Sequence, residues 1–201
     1  MRSAVLLNAG GLRKLALATL LMACVAVAAA SMPGFKAGVF DPPRQAPDFT
    51  LQGTDGHAFR LSQFRGKVVL LAFGYSHCQS VCPITLNTFA QALRAMGPAA
   101  ARVQVVYVTV DAVRDTPTRL KAFLDNFSQT FVGGTGTEKQ LQQVRKDYGV
   151  SATRIPDGKD YMYDHSSFIY LIDRVGSIRA LMPYGHPPED FAHDLRILLG
   201  E

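Results

Sequence analysis

The stretch KVVLLAFGYSHCQSVCP, residues 67–83, decides the fold of this chain. Its first nine residues, 67–75, are almost continuously apolar, which is typical of a strand that helices bury on both faces. Pro83 favours the first turn of a helix, so the sequence places Cys82 at the helix cap and Cys78 in the preceding loop. Two thiols therefore lie four positions apart at a strand-to-helix junction. This arrangement predicts a site that binds a soft metal, exchanges electrons, or does both.

The patterns around this junction extend it into one α/β unit. Alternating segments at 48–51 and 58–61 flank Asp55-Gly56 and predict a β-hairpin. The remaining segments read as strands at 103–110, 168–173 and 177–182, helices at 83–97, 117–127, 137–148 and 188–199, and an exposed excursion at 151–164. This order predicts an α/β, thioredoxin-like fold with a central mixed sheet, helices on both faces and an N-terminal β-hairpin.

Length and charge limit the possible functions. The chain has 201 residues, of which 48% are hydrophobic, and this is enough for one domain with a full core. Its net charge is +5, but Arg2, Arg13 and Lys14 precede the first apolar run and leave 18 basic residues (21 minus 3) against 16 acidic ones. So small an excess gives no reason to expect nucleic acid as a partner.

The first 30 residues read as a signal peptide or an N-terminal membrane anchor. The apolar run at 15–30 ends in Ala28-Ala29-Ala30, a cleavage pattern before Ser31. We interpret Cys24, inside this run, as a small apolar residue rather than a lipidation site. Residues 31–46 carry three prolines and two glycines without periodicity and read as a linker, which leaves 47–201 as the domain. Whether the leader is a signal peptide or an anchor, we expect the domain to be exported to a compartment that permits disulfides.

Four segments of the chain resemble the Sco/SenC copper-chaperone family: DGHAFRLSQFRGKVVLLAFGYSHCQSVCP at 55–83, VDAVRDTP at 110–117, FVGGTG at 131–136 and YDHSSFIYLID at 163–173. The resemblance implies a thioredoxin-like copper protein on the periplasmic side of the bacterial inner membrane, to which it is tethered. It also implies a role in assembling the binuclear copper site of cytochrome c oxidase. Its partners would be the oxidase subunit that carries that site and an upstream periplasmic copper donor. The implied copper ligands are Cys78, Cys82 and His165.

The chain departs from the family pattern between and around its cysteines. Gln79-Ser80 stands where the family has Pro-Asp, Ser76 replaces a threonine, and Ala112 replaces a proline. None of these changes removes a ligand. Loss of the carboxylate between the cysteines bears on the potential of the site and on partner recognition.

Two thiolates and one imidazole form a ligand set that suits Cu(I), and Cu(II) could add an oxygen ligand. A structural zinc site would normally need a fourth protein ligand. The positive end of the helix dipole should lower the pKa of both thiols and favour the thiolate that binds metal. We therefore expect one copper ion per chain, as Cu(I), Cu(II) or both.

Three carboxylates are candidates for supporting roles. Asp164 precedes His165 and is expected to fix the orientation of its ring. Asp111 and Asp115 follow the strand that ends at Val110, on the same sheet edge as the cysteines, and are expected to tune the site electrostatically. Asp115 fits a helix-capping role equally well, because a helix begins near Pro117.

Several alternatives remain open for these residues. Cys78 and Cys82 also fit a structural disulfide, or the redox pair of a thiol-disulfide oxidoreductase that reduces the cysteines of the oxidase copper site. A peroxiredoxin is excluded, because its motif needs proline and threonine where Leu71 and Tyr75 stand. Other histidines and tyrosines fit surface or packing roles better than ligand roles: His57, His77, His186, His193, Tyr161 and Tyr163.

Overall fold

The computed structural model describes residues 34–200, so the predicted leader at 1–30, with Cys24, lies outside the described residues. Within residues 34–200, no helix is long and apolar enough to cross a membrane. The strands are β1 (Gly38–Gln45), β2 (Thr50–Gly53), β3 (Ala58–Arg60), β4 (Val68–Gly74), β5 (Val103–Thr109), β6 (Val132–Thr135), β7 (Ala152–Asp157), β8 (Asp160–His165), β9 (Ile169–Ile172) and β10 (Ser177–Met182). The α-helices are α1 (Val81–Met96), α2 (Pro117–Leu124), α3 (Glu138–Tyr148) and α4 (Pro188–Leu199).

Eight strands form one mixed sheet in the order β1-β10-β9-β4-β5-β6-β2-β3. Strands β4, β5 and β6 are mutually parallel, and the other neighbours pair in antiparallel fashion. Every residue of β4 and β5 is buried, as continuous apolar runs predict for central strands. The predicted hairpin is confirmed as β2 and β3, with Leu51 paired to Phe59.

Helices cover both faces of this sheet, as the sequence predicts. On one face, α1 packs on α4 through Phe89 and Phe191, whose ring centroids lie 5.3 Å apart. On the other face, Tyr148 of α3 contacts Phe73 of β4, with ring centroids 5.7 Å apart. The thioredoxin-like α/β fold is therefore confirmed, and it places the carboxyl ends of β4 and β5 beside the start of α1.

The domain begins earlier than the sequence predicts. Residues 38–45, part of the predicted linker, form the edge strand β1, which pairs with β10. Just before it, the backbone N–H groups of Lys36 and Ala37 each donate to the fully buried carboxylate of Asp194, at 2.9 Å. The prolines fit because the pairing is interrupted between Val39 and Arg44, and an edge strand tolerates residues that lack an N–H. The lack of periodicity therefore reflects an edge strand rather than a tether.

The predicted excursion at 151–164 is a separate two-stranded sheet. Strands β7 and β8 pair with each other, from Ala152 opposite His165 to Asp157 opposite Asp160. Because β8 ends at His165, the candidate imidazole ligand lies at the base of this hairpin, next to the main sheet.

Candidate metal centre

The cysteine junction forms as predicted, with one correction to its register. Helix α1 begins at Val81 with Ser80 at its cap, so Cys82 is the second helical residue rather than the cap. Pro83 is then the third residue, a position it tolerates because first-turn N–H groups have no acceptor within the helix. Cys82 is buried, with 3% of its surface exposed, whereas Cys78 in the preceding loop is partly exposed.

The two thiols differ sharply in acidity. A hydrogen bond from the Cys82 thiol, opposed by burial and aided by the backbone N–H groups of Cys82 and Ser80, lowers the pKa of Cys78 to about 5. One of these N–H groups, that of Cys82, lies 3.5 Å from the Cys78 sulfur. The same hydrogen bond to Cys78, together with burial, raises the pKa of Cys82. The pKa of Cys78 is lowered, as predicted, although hydrogen bonds to its sulfur are the cause, and the pKa of Cys82 is raised, contrary to the prediction, because only one of two adjacent sulfurs ionises readily.

His165 meets Cys82 although 83 positions separate them. The His165 Nε2 atom lies 3.8 Å from the Cys82 Sγ atom, and Nδ1 lies 2.9 Å from the carbonyl oxygen of Ser166. A carbonyl can only accept, so Nδ1 carries a proton and donates it to this carbonyl, while Nε2 is the ring nitrogen that faces the sulfur. Metal bonds of about 2.3 Å to sulfur and about 2.0 Å to nitrogen, at a trigonal angle, separate the two donors by roughly 3.8 Å. The observed spacing therefore fits a shared ion.

Cys78 and His165 also border one open cleft of about 420 Å³ between the cysteine loop and the β7–β8 hairpin. Among residues 34–200, no three His, Cys, Asp or Glu side chains stand together closely enough to hold a metal ion as they are placed. The three candidate ligands thus lie in one region, but their side chains are not placed to bind one ion together. Binding of one ion by all three would require the partly exposed Cys78 side chain to adjust.

Asp164 does not have the role that the sequence predicts. Successive side chains of a strand point to opposite faces, so Asp164 on β8 is exposed while its neighbour His165 is partly buried. The hydrogen bond that orients the His165 ring goes to the Ser166 carbonyl. Adjacency in sequence was a misleading signal here, because in an extended strand it separates two side chains.

Asp115 holds the loop that carries Cys78. Its fully buried carboxylate accepts hydrogen bonds from the Ser76 backbone N–H at 3.0 Å, the Ser76 hydroxyl at 2.5 Å and the Thr109 hydroxyl at 2.6 Å. The capping alternative is wrong, because Thr116 caps α2 through a hydrogen bond from the Arg119 N–H. Asp115 therefore acts on the site by fixing the backbone two residues before Cys78.

Asp111 connects the main sheet to the hairpin that carries His165. Its fully buried carboxylate receives the Arg114 Nε at 2.5 Å and the Tyr161 hydroxyl at 3.0 Å. Arg114 also donates through Nη1 to Asp160 and to the Tyr161 carbonyl, both at 2.9 Å, and lies 3.6 Å from the centroid of the Tyr161 ring. We name this group of four residues the hairpin tie: Asp111, Arg114, Asp160 and Tyr161.

Sequence reasoning missed three side chains that shape this region. Arg114 stands inside the VDAVRDTP segment, where a cation between two aspartates is a readable signal for an ion pair. Tyr75 packs edge-on against the His165 ring, with centroids 5.9 Å apart. Tyr107 lies beside Cys82. Its position in an apolar strand indicates only a core residue and does not predict this contact. Tyr161 and Tyr163, which the sequence assigns to loop packing, contact each other with centroids 5.8 Å apart.

Comparison with known proteins identifies the family. The model of the SCO1/SenC family matches residues 40–200, which is most of the chain. The chain belongs to the SCO1/SenC family. A SCO2-like protein of Rickettsia conorii is 33% identical over 152 residues, covering 74% of this chain and 74% of that protein. The resemblance inferred from the four segments is therefore confirmed.

Solved Sco structures share the fold of this chain. ScoI of Bradyrhizobium japonicum, with copper bound, aligns with a TM-score of 0.72 and 35% identity over 77% of this chain and 99% of its own. The apo Sco1 protein of Thermus thermophilus aligns with a TM-score of 0.75 and 31% identity over 84% of this chain and 99% of its own.

One of the three places where this chain departs from the family pattern, Gln79-Ser80, lies at the surface. Gln79 and Ser80 are both exposed, and both border the cleft beside Cys78. Replacement of Pro-Asp by Gln-Ser therefore changes the rim around the reactive sulfur and leaves the packing beneath it intact.

Proposed function

We propose that this protein is a copper metallochaperone that holds one copper ion through Cys78, Cys82 and His165. In this proposal the ion is cargo, and the protein delivers it during assembly of the binuclear copper site of cytochrome c oxidase. The observation that carries the proposal is the 3.8 Å separation between the Cys82 Sγ and the His165 Nε2 atoms. Two donors from remote parts of the chain have the spacing that one shared metal ion requires.

Donor chemistry and relatives support copper as the cargo. Two sulfurs and one imidazole favour Cu(I) over hard cations, which prefer oxygen ligands. The Bradyrhizobium relative, at 35% identity, has copper bound. The acidic thiol of Cys78 is a thiolate at neutral pH, so one ligand needs no deprotonation.

The open cleft supports transfer rather than permanent storage. Cys78 is partly exposed at its border, whereas Cys82 is buried behind it. A ligand that solvent reaches is also a ligand that a donor or acceptor protein reaches. We therefore propose that an upstream copper donor and the oxidase copper-site subunit both approach through this cleft. The predicted leader at 1–30 would place it on the periplasmic side, tethered to the inner membrane.

Copper stoichiometry and copper-edge X-ray absorption of the purified protein test this proposal. We expect one copper per chain, with sulfur and nitrogen scatterers. His165→Ala should remove the nitrogen and weaken Cu(I) binding by more than the about 10- to 100-fold that loss of a supporting partner costs. His186→Ala is the matched control, since His186 binds Asp190 in the first turn of α4. Undiminished copper binding by a Cys78→Ser/Cys82→Ser protein would refute the proposal.

The asymmetry of the thiols favours a second candidate function, reduction of the cysteines of the oxidase copper site. An exposed thiolate beside a buried thiol of high pKa is the arrangement of a dithiol reductant. Cys78 would attack the target disulfide and release one target thiolate. Cys82 would then attack the mixed disulfide, which frees the second target thiolate and leaves the Cys78–Cys82 disulfide.

His165→Ala separates the two functions. Thiol exchange needs only the sulfurs, so a reductase keeps its rate of reducing a disulfide peptide in this variant. A pure chaperone shows little such activity even as wild type. Loss of copper binding with full retention of peptide reduction would assign both functions to the same pair of cysteines.

A further inference from the structure

Tyr107 carries a buried hydroxyl that the proposed function does not use. The residue lies in β5 with 1% of its surface exposed, and among the described residues its hydroxyl oxygen has no well-formed hydrogen bond and only the Cys82 sulfur as a neighbouring acceptor. Burying a hydroxyl without a partner costs free energy, and native proteins contain few such atoms. Packing does not explain it, because a phenylalanine would keep the contact of the ring with Phe123 of α2.

This hydroxyl lies close to the sulfur of Cys82. A Cβ atom at Gly74 would lie 2.0 Å from the Tyr107 hydroxyl oxygen and 2.8 Å from the Cys82 Sγ atom. Both atoms therefore border the same small space, which stays open because residue 74 has no side chain. Tyr107, Cys82 and His165 also line one small cavity under the start of α1.

We propose that Tyr107 is a positioning residue whose hydroxyl donates a hydrogen bond to the reduced Cys82 sulfur, weakly when that sulfur is a thiol and strongly when it holds metal. A neutral thiol is a weak acceptor, whereas a thiolate accepts strongly. The bond is therefore weak in the dithiol protein and strengthens when Cys82 holds metal.

The hydrogen bond has two measurable consequences. It stabilises a reduced, electron-rich sulfur more than a disulfide sulfur, so it favours the dithiol form. It also draws electron density from a sulfur bound to copper, and hydrogen bonding at such a sulfur tunes the potential of the metal. The second consequence rests on the proposed function, and the first does not.

The first test uses metal-free protein. Wild type, Tyr107→Phe and Tyr170→Phe are equilibrated with glutathione and glutathione disulfide, which oxidises the Cys78–Cys82 dithiol while two glutathione molecules form. Loss of one hydrogen bond to a neutral thiol should favour the protein disulfide by about two- to threefold in Tyr107→Phe, or about 9 to 14 mV. Tyr170→Phe is the control, because its buried hydroxyl donates to the Tyr148 carbonyl at 2.6 Å instead of to sulfur. It should leave this equilibrium unchanged.

The second test uses copper-loaded protein. The charge-transfer band from sulfur to Cu(II) should move to lower energy in Tyr107→Phe and stay in place in Tyr170→Phe. A fluorotyrosine at position 107, a stronger donor of similar size, should move both readouts in the opposite direction and covers the case that Tyr107→Phe folds poorly.

Unchanged thiol equilibrium and band position in both position-107 variants would overturn the proposal. A wild-type protein that binds no copper would instead refute the chaperone function, while the glutathione equilibrium would still decide the role of Tyr107.

Discussion

Substitution of Arg114 by methionine should destabilise the domain strongly, because it leaves a buried charge without its partner. The Asp111 side chain is fully buried and that of Arg114 is 12% exposed, with 2.5 Å between the Arg114 Nε and the Asp111 Oδ2 atoms. Removing one member of a buried ion pair costs about 3 to 5 kcal/mol. For a domain of this size, roughly 2 to 4 °C per kcal/mol gives a loss of about 6 to 20 °C in Tm.

Thermal and denaturant unfolding of four proteins measures this effect: wild type, Arg114→Met, Asp111→Asn/Arg114→Met and Lys121→Met. The double variant removes the orphaned charge and should recover much of the lost stability. Lys121→Met removes an exposed ion pair with Asp125 on α2 and should cost less than about 0.5 kcal/mol.

Copper affinity should not recover in parallel. Both Arg114 variants lack the hairpin tie that fixes the strand bearing His165, so both should bind Cu(I) more weakly than wild type. If Arg114→Met matched Lys121→Met in stability, the reasoning about the buried charge would fail. If the double variant regained wild-type copper affinity, the tie would have no part in placing the imidazole.

Three further changes have defined outcomes. In metal-free protein, the alkylation rate of Cys78 should rise as the pH passes through about 5, because its lowered pKa makes it a thiolate above that value. Cys82, whose pKa is raised, should stay unreactive at neutral pH. Mass spectrometry of the labelled peptides measures both rates. Asp194→Ala removes two hydrogen bonds that anchor the chain before β1, so it should cost about 2 to 4 kcal/mol in chemical denaturation and speed amide exchange in β1. Asp115→Asn places an amide against the donors of Ser76 and should cost about 2 to 4 kcal/mol, with unchanged unfolding as the contrary result.

Most of the fold could be predicted from the sequence, because its central elements are long and strongly patterned. The apolar runs of β4 and β5 clearly indicate buried strands. The last helix, predicted at 188–199 from its helical periodicity, is observed as Pro188–Leu199. Strand β1 could not be predicted in the same way. Its place depends on an interrupted pairing with β10 and on anchoring to Asp194, more than 150 positions away, and neither leaves a local pattern.

The residue types of the candidate site could be predicted from the sequence, but the hydrogen bonds that connect them could not. A thiol pair at a strand-to-helix junction and the family segments give Cys78, Cys82 and His165. The partners of the supporting carboxylates depend on tertiary contacts: Asp115 reaches Ser76, 39 positions away, and Asp111 reaches Tyr161, 50 positions away. Neighbouring side chains of β8 point to opposite faces, so Asp164 and His165 lie apart although they are adjacent in the sequence.

The imidazole and the sulfurs belong to separately supported parts of the molecule. Both cysteines sit on the framework of β4 and α1, whereas His165 ends a two-stranded arm that is not part of the main sheet. Movement of that arm would change the number of protein donors around an ion from three to two, and the hairpin tie, anchored at the buried Asp111, resists such movement. Retention of a bound ion and stability of the domain therefore depend on the same buried ion pair, and a change at that pair alters both.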